Sequence, residues 1–206
     1  MRPRQRLPRP ALPLLQLRQA TPADLAAIMA LEYAGFAAGI VEDEAVFSHR
    51  LAAFPEGFLL AEIGGKPCGY FCAEIWRDWS PTESERFDLG HDVTHWLQRD
   101  GTVIYIASMT LAPEFRGGGM GYSLLRRSLD SMADRFPALN EAVLIVNEHW
   151  HAARRIYAQA GFSECGRLPG FFVPVCDTVG DAILMTGPLQ LRQSIVSPHP
   201  LASIEP

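Results

Sequence analysis

The chain is 206 residues long, 48% hydrophobic and 20% charged, with a net charge of −5. That supplies enough apolar material for one substantial α/β core, while no apolar run approaches the ~20 residues a membrane helix needs. Arg2, Arg4, Arg6 and Arg9 put +4 into the first thirteen residues and leave about −9 on the remainder, a balance that argues against nucleic acid and favours cationic small molecules such as protonated amines.

The opening stretch, residues 1–13, mixes arginine with proline and lacks the continuous apolar segment of an export signal, so it reads as a disordered tail on a soluble, cytoplasmic protein. Cys68, Cys72, Cys165 and Cys176 form no CxxC pair and no histidine completes a ligand spacing; neither a disulfide framework nor a metal site is signalled. Residues 14–190 read as one domain. Leu15 to Ala20 is a short strand, and Thr21-Pro22-Ala23-Asp24 starts a helix with Thr as cap and Pro at its first position. Leu25, Ile28, Met29, Glu32 and Phe36 continue it at helical spacing. A second helix, capped by Asp43 or Glu44, carries Val46, Phe47, Arg50, Leu51 and Phe54. Gly57 to Ile63 and Pro67 to Trp76 flank Gly64-Gly65-Lys66 as an antiparallel hairpin.

Residues 77–100 interrupt this regularity with six carboxylates, three arginines, His91 and His95, and they read as an inserted lid. Thr102 to Leu111 is an apolar strand, followed after Arg116-Gly117-Gly118-Gly119-Met120-Gly121 by a helix with Met120, Leu124, Leu125, Leu129, Met132 and Phe136 on one face. A strand (Ala142 to Val146), a helix (His149 to Gln159) ended by Gly161, and strands at about Phe162 to Arg167 and Ala182 to Thr186 complete the domain. Residues 191–206 read as a loose tail.

The segment from Leu111 to Leu125 combines a strand end, a glycine-rich turn and a helix start, which is a recipe for holding an anion. Glycines reach positive φ and let the backbone approach closely, while the unpaired amides of the first helical turn point at the ligand. A GxxxxGK[ST] loop is excluded because Lys66 is the only lysine in the chain. A GxGxxG dinucleotide fingerprint fails too, since Tyr122 or Leu124 stands where the last glycine belongs.

What remains, Arg116-x-x-Gly119-x-Gly121, resembles the coenzyme loop [QR]xxGx[GA] of the GNAT acetyltransferase superfamily. The match continues in Val143-Leu144-Ile145-Val146-Asn147, in Ala153-Arg154-Arg155-Ile156-Tyr157, and in Gly161-Phe162, so it spans about Leu15 to Leu189. The resemblance implies an α/β (α+β) fold, with a mixed, mostly antiparallel sheet of six to seven strands flanked by about four helices. It also implies direct transfer of an acetyl group from acetyl-CoA to a primary amine in a ternary complex. By the same resemblance Arg116, Gly117, Gly118, Gly119, Met120 and Gly121 hold the coenzyme phosphates, Met109, Thr110 and Leu111 meet its arm, and Asn147 contacts coenzyme or substrate. Arg154 would approach a phosphate. Tyr157 occupies the position of the acid that protonates the leaving thiolate.

The family often carries Glu or His at positions corresponding to 105 and 107, where this chain has Tyr105 and Ala107. Tyr105 and Ser108 are therefore weighed with Tyr157 as catalytic residues, and Glu74, Glu32, His91 and His95 as substitutes for the missing base. The insertion resembles, more weakly, the arylalkylamine N-acetyltransferase branch through Thr82-Glu83-Ser84 and His91. Phe36, Glu74 and Trp76 are expected at the acceptor, a small hydrophobic or aromatic amine. Protein or peptide acetylation, and a silent acyl-CoA-binding module, are the alternatives; a homodimer is left open.

Overall fold

β1 (Gln16–Gln19) leads through Thr21 into a single 3-10 turn (Pro22–Asp24) and then α1 (Leu25–Gly35). The Asp24 carboxylate accepts from both the amide and the hydroxyl of Thr21 at 2.8 Å and pairs with Arg18 at 2.7 Å, so the helix start is fastened to β1. α2 (Glu44–Ala53) follows, then the hairpin of β2 (Phe58–Ile63) and β3 (Lys66–Trp76), then α3 (Val93–Trp96) inside the insertion. β4 (Val103–Leu111), α4 (Met120–Arg135), β5 (Glu141–Asn147), α5 (His151–Gln159), β6 (Ser163–Phe172) and β7 (Gly180–Pro188) complete the chain. This is a computed structural model, and it describes residues 14–189; the tails expected at 1–13 and 191–206 lie outside that range. The last two strands run beyond their expected ends, because β6 and β7 stay paired out to Phe172 and Gly180.

The seven strands lie in the order β1-β2-β3-β4-β5-β7-β6. All neighbours are antiparallel except β4 and β5, which are parallel and pair only from Val103 opposite Glu141 to Ile106 opposite Leu144. Beyond Ile106 the two central strands part, and the gap opens between Ala107–Leu111 and Ile145–Asn147.

Alternation along the strands sorts the core into two layers. Phe71, Ala73, Ile75, Ile104, Ile106, Leu144 and Ile183 face α4, where Leu124, Leu125, Leu129 and Met132 meet them. Tyr70 and Cys72 face the other way, onto Ile28 and Met29 of α1 and Phe47 and Leu51 of α2. The β3–β4 register slips between Cys72 opposite Ser108 and Ala73 opposite Ile106, which makes Ala107 the extra residue of a bulge. The slip reverses the parity of β4: without it Ser108 would share the α4 face with Ile104 and Ile106, whereas the bulge turns it toward Tyr70, 2.8 Å away.

The insertion packs flat on the α1/α2 face of the sheet. Phe87 is 1% exposed against Trp76 and Tyr105, and the Arg86 guanidinium sits 4.4 Å from the Trp96 ring centre. Its aromatic rings therefore cover strands, and Trp76, expected at the acceptor, packs against Phe87 and Tyr105 instead. Among the described residues no helix is long and apolar enough to cross a membrane.

Candidate active site

Where β4 and β5 part, a cavity of about 600 Å3 passes through the sheet. On the α4 side it is lined by Arg116, Gly117, Gly121, Leu124, Ile156 and Tyr157; in the gap, by Ala107 to Leu111 and by Ile145 and Val146. The far end, on the α1 side, is formed by Phe36, Ile40, Leu89, Trp150 and Phe172 together with the carboxylates of Glu32 and Glu42.

The glycine loop has the shape its composition demands. Gly117, Gly118 and Gly119 have φ of 89°, 57° and 87°, all in the left-handed region, and open space surrounds the positions a Cβ would take at Gly117 and Gly119. Met120 N–H bonds back to the Gly117 carbonyl and Ser123 N–H to that of Gly119. The amides of Gly121 and Tyr122 between them stay available at the positive end of a 16-residue helix. Arg116 donates its Nε–H to the Leu111 carbonyl at 3.0 Å, tying the loop to the end of β4, and lines the cavity. At Gly121 a Cβ would lie 2.7 Å from Ile156 Cδ1, so the bare backbone permits the close approach of α5 that carries Tyr157. A backbone cradle, an anchored arginine and an open trough beside an unpaired strand edge together fit a coenzyme diphosphate and its extended arm.

Tyr157 is 8% exposed, packs its ring 5.9 Å from that of Phe162, and has its pKa pushed up to about 12 by burial. Ser108 and Phe36 also line the cavity. Other expected residues are placed elsewhere. Tyr105 is 2% exposed, stacked on Trp76 at 4.3 Å, and burial raises its pKa, which removes it from the cavity and from base chemistry. Trp76 is fully buried in the same stack. Glu74 is fully buried behind the wall, where its carboxylate accepts from His91 Nε2 at 2.8 Å and from the Trp76 indole at 3.1 Å. Asn147 is 3% exposed and takes the His149 amide on Oδ1 at 2.9 Å, closing the turn after β5. Met120 puts its side chain into the core and spends its amide on Gly117. Arg154 is held by the Glu148 carbonyl at 3.0 Å and by Glu164 at 2.5 Å, and His95 is exposed on α3.

A buried polar network backs the α1 end. Arg50 forks onto both oxygens of Glu42 at 2.5 and 2.9 Å, and the Gly90 amide donates to Glu42 at 2.7 Å, which holds neighbouring Leu89 at the cavity wall. His91 has an acceptor at each ring nitrogen, the Asp88 carbonyl at 2.9 Å and Glu74 at 2.8 Å. Burial opposes its charge, but the hydrogen bond to Glu74 and that carboxylate's field outweigh it and raise the pKa. Glu32, 2% exposed, accepts from the Tyr70 phenol and from the Glu42 amide at 3.1 Å. Its pKa is raised to about 6, desolvation outweighing those two hydrogen bonds. Tyr70, Arg50, Glu42 and Trp150 were not legible as site residues, since strand, loop and helix positions far apart in sequence only converge through the sheet.

The geometry is that of a known family. The model of the acetyltransferase (GNAT) family matches residues 25–162, and the chain belongs to that family, acyltransferases that draw on acetyl-CoA as donor. No curated protein matches the sequence. Among solved structures, the loading GNATL domain of CurA from Lyngbya majuscula is 17% identical, with a TM-score of 0.72 over 87% of this chain and 100% of that one. The ribosomal-protein-S18-alanine N-acetyltransferase from Escherichia coli is also 17% identical, with a TM-score of 0.65 over 89% and 99%. Naa50 of Arabidopsis thaliana, in complex with the bisubstrate analogue CoA-Ac-MVNAL, is 18% identical with a TM-score of 0.61 over 84% and 97%. At these identities the likeness establishes the fold.

Proposed function

We propose that this enzyme acetylates the primary amine of a small hydrophobic or aromatic molecule by direct transfer in a ternary complex. The observation that carries the reading is the cavity that crosses the sheet, with the glycine loop at one mouth and a ring-lined pocket holding Glu32 at the other. Phe36 and Trp150 lie 5.4 Å apart and Trp150 and Phe172 5.3 Å apart, a set of faces suited to an aryl group. Burying one phenyl ring there is worth ~2–3 kcal/mol. Glu32 gives the same pocket negative potential for an ammonium, the charge of Glu42 being taken up by Arg50.

Acetyl-CoA supplies the activated thioester. The amides of Gly117 to Gly119, Gly121 and Tyr122 would hold its diphosphate, with Arg116 adding charge. The unpaired edge of β4 from Ala107 to Leu111 would orient the arm and aim an amide at the acetyl oxygen as negative charge develops. Tyr157 would return a proton to the departing sulfur. Set against a thiolate at its aqueous ~8.5, the buried phenol at about 12 is a poor donor, a mismatch of ~5 kcal/mol. The dry cleft that raises the phenol raises the sulfur as well, as burial does for the Cys68 and Cys72 thiols, so the two are closer in place than in solution.

Substrate-dependent thiol release from acetyl-CoA, screened over arylalkylamines, polyamines and peptides, tests the reading. Arylalkylamines should give the highest kcat/KM. A preference for peptides, or no release with any amine, would overturn the acceptor assignment.

A further inference from the structure

Family membership does not say which group takes the ammonium proton, and β4 lacks an acid or histidine to do it. We propose that Glu32 is the proton acceptor, reached from the cavity through Ser108 and Tyr70; the proposal rests on the acetyl-transfer reading above. Glu42, the other carboxylate at the cavity, is already neutralised by the Arg50 fork and the Gly90 amide. Glu32 holds hydrogen bonds from Tyr70 and the Glu42 amide but forms no ion pair among the described residues.

The direction of the chain follows from counting protons. Tyr70 has one phenolic proton and gives it to Glu32, so at its 2.8 Å contact with Ser108 the phenol oxygen must accept. Ser108 therefore points its proton inward and offers a lone pair to the cavity it lines. When an ammonium meets that lone pair, its N–H bond breaks and an O–H bond forms on Ser108. Ser108 passes its own proton to Tyr70, and Tyr70 passes its proton to Glu32. The balance is ammonium plus carboxylate giving free amine plus carboxylic acid, with Ser108 and Tyr70 returned unchanged.

The charged and titratable groups facing Glu32 are Glu42 before α2, Arg50 on α2 and Tyr70 on β3. Burial first, and then the Glu42 charge, raise the Glu32 pKa to about 6, against the Tyr70 and Glu42 hydrogen bonds and the Arg50 charge. At neutral pH the group is ionised and more basic than a carboxylate in water. The bulge at Ala107 makes the arrangement possible, since it turns Ser108 to the α1 face.

The test follows thiol release from acetyl-CoA with 2-phenylethylamine between about pH 5 and about pH 9. Wild-type kcat/KM should rise through about pH 6 and level off, the carboxylate accepting the ammonium proton. Glu32→Gln should fall ~10²–10⁴-fold and climb toward the amine's own pKa of ~10, because only free base then reacts. Glu32→Asp should recover the plateau, and Tyr70→Phe should lose at least ~10-fold with the Kd for CoA unchanged in every variant. A Glu32→Gln profile equal to wild type would overturn the role. If wild type does not acetylate this amine, calorimetry in the presence of CoA decides. Affinity for 2-phenylethylammonium should rise through about pH 6 in wild type and stay flat in Glu32→Gln. No binding, or the same pH dependence in both, removes Glu32 from the reaction, while CoA titration reports separately on the coenzyme site.

Discussion

Glu32, a carboxylate kept 2% exposed with hydrogen bonds but no ion pair among the described residues, holds unfavourable energy in the folded protein. Its folded pKa of about 6 lies above the ordinary glutamate value of about 4.5, so its contribution to stability is fully present below about 4.5 and lost as pH rises through about 6. The difference amounts to about 2 kcal/mol. Glu32→Gln keeps an acceptor for the Glu42 amide, while its NH2 donates to the Tyr70 oxygen and turns the phenol proton to Ser108; it should be more stable than wild type by up to that amount at pH 7, and equal urea midpoints would contradict it. Tyr157→Phe should retain CoA affinity and lose ~10²–10⁴-fold in kcat, read by steady-state turnover. Tyr157 and Arg116 were expected at the site through the family resemblance, Ser108 as a neighbour of the positions where relatives carry Glu or His, and Phe36 at the acceptor; all four line the cavity. Glu32 appeared only as one acid among several, since its partner Tyr70 lies 38 residues away. Trp76 and Glu74 have the face parity of Tyr70, but the insertion covers that stretch of β3 and takes them out of reach.

The strands and helices were readable from alternation and helical spacing, and the glycine turn from its residues alone. The β4 bulge was not, because Tyr105-Ile106-Ala107-Ser108 alternates smoothly and only the register against β3 shows the extra residue. Gly119, at φ 87°, admits only a strained side chain, so Gly119→Ala should raise the Kd for CoA about tenfold with a smaller effect on kcat, as loss of one or two aligned amides requires. The insertion is pinned through Glu42, Arg50, Glu74 and His91. Arg50→Ala would strand two buried carboxylates and should cost ~3–5 kcal/mol in chemical denaturation, whereas a loss below ~1 kcal/mol would show that the network is not what holds the insertion.

At the scale of the molecule, one topological event organises the chemistry. β4 and β5, the single parallel pair among the described strands, separate after Ile106 and Leu144, and the opening joins the α4 face to the α1 face. The proposed division, coenzyme on the α4 side and amine on the α1 side, depends on that gap, which no local sequence signal announces. A ligand that bridges it should stabilise the fold by linkage, about 2.7 kcal/mol at 100 times its Kd, seen as a CoA-dependent rise in Tm. The most direct test is a crystal structure with CoA and 2-phenylethylamine bound. The diphosphate should lie against the amides of Gly117 to Gly119, Gly121 and Tyr122, the sulfur beside Tyr157, and the amine nitrogen within hydrogen-bond reach of Ser108 Oγ. A diphosphate seated away from the loop, or an amine that enters without reaching the α1 side of the gap, would contradict it.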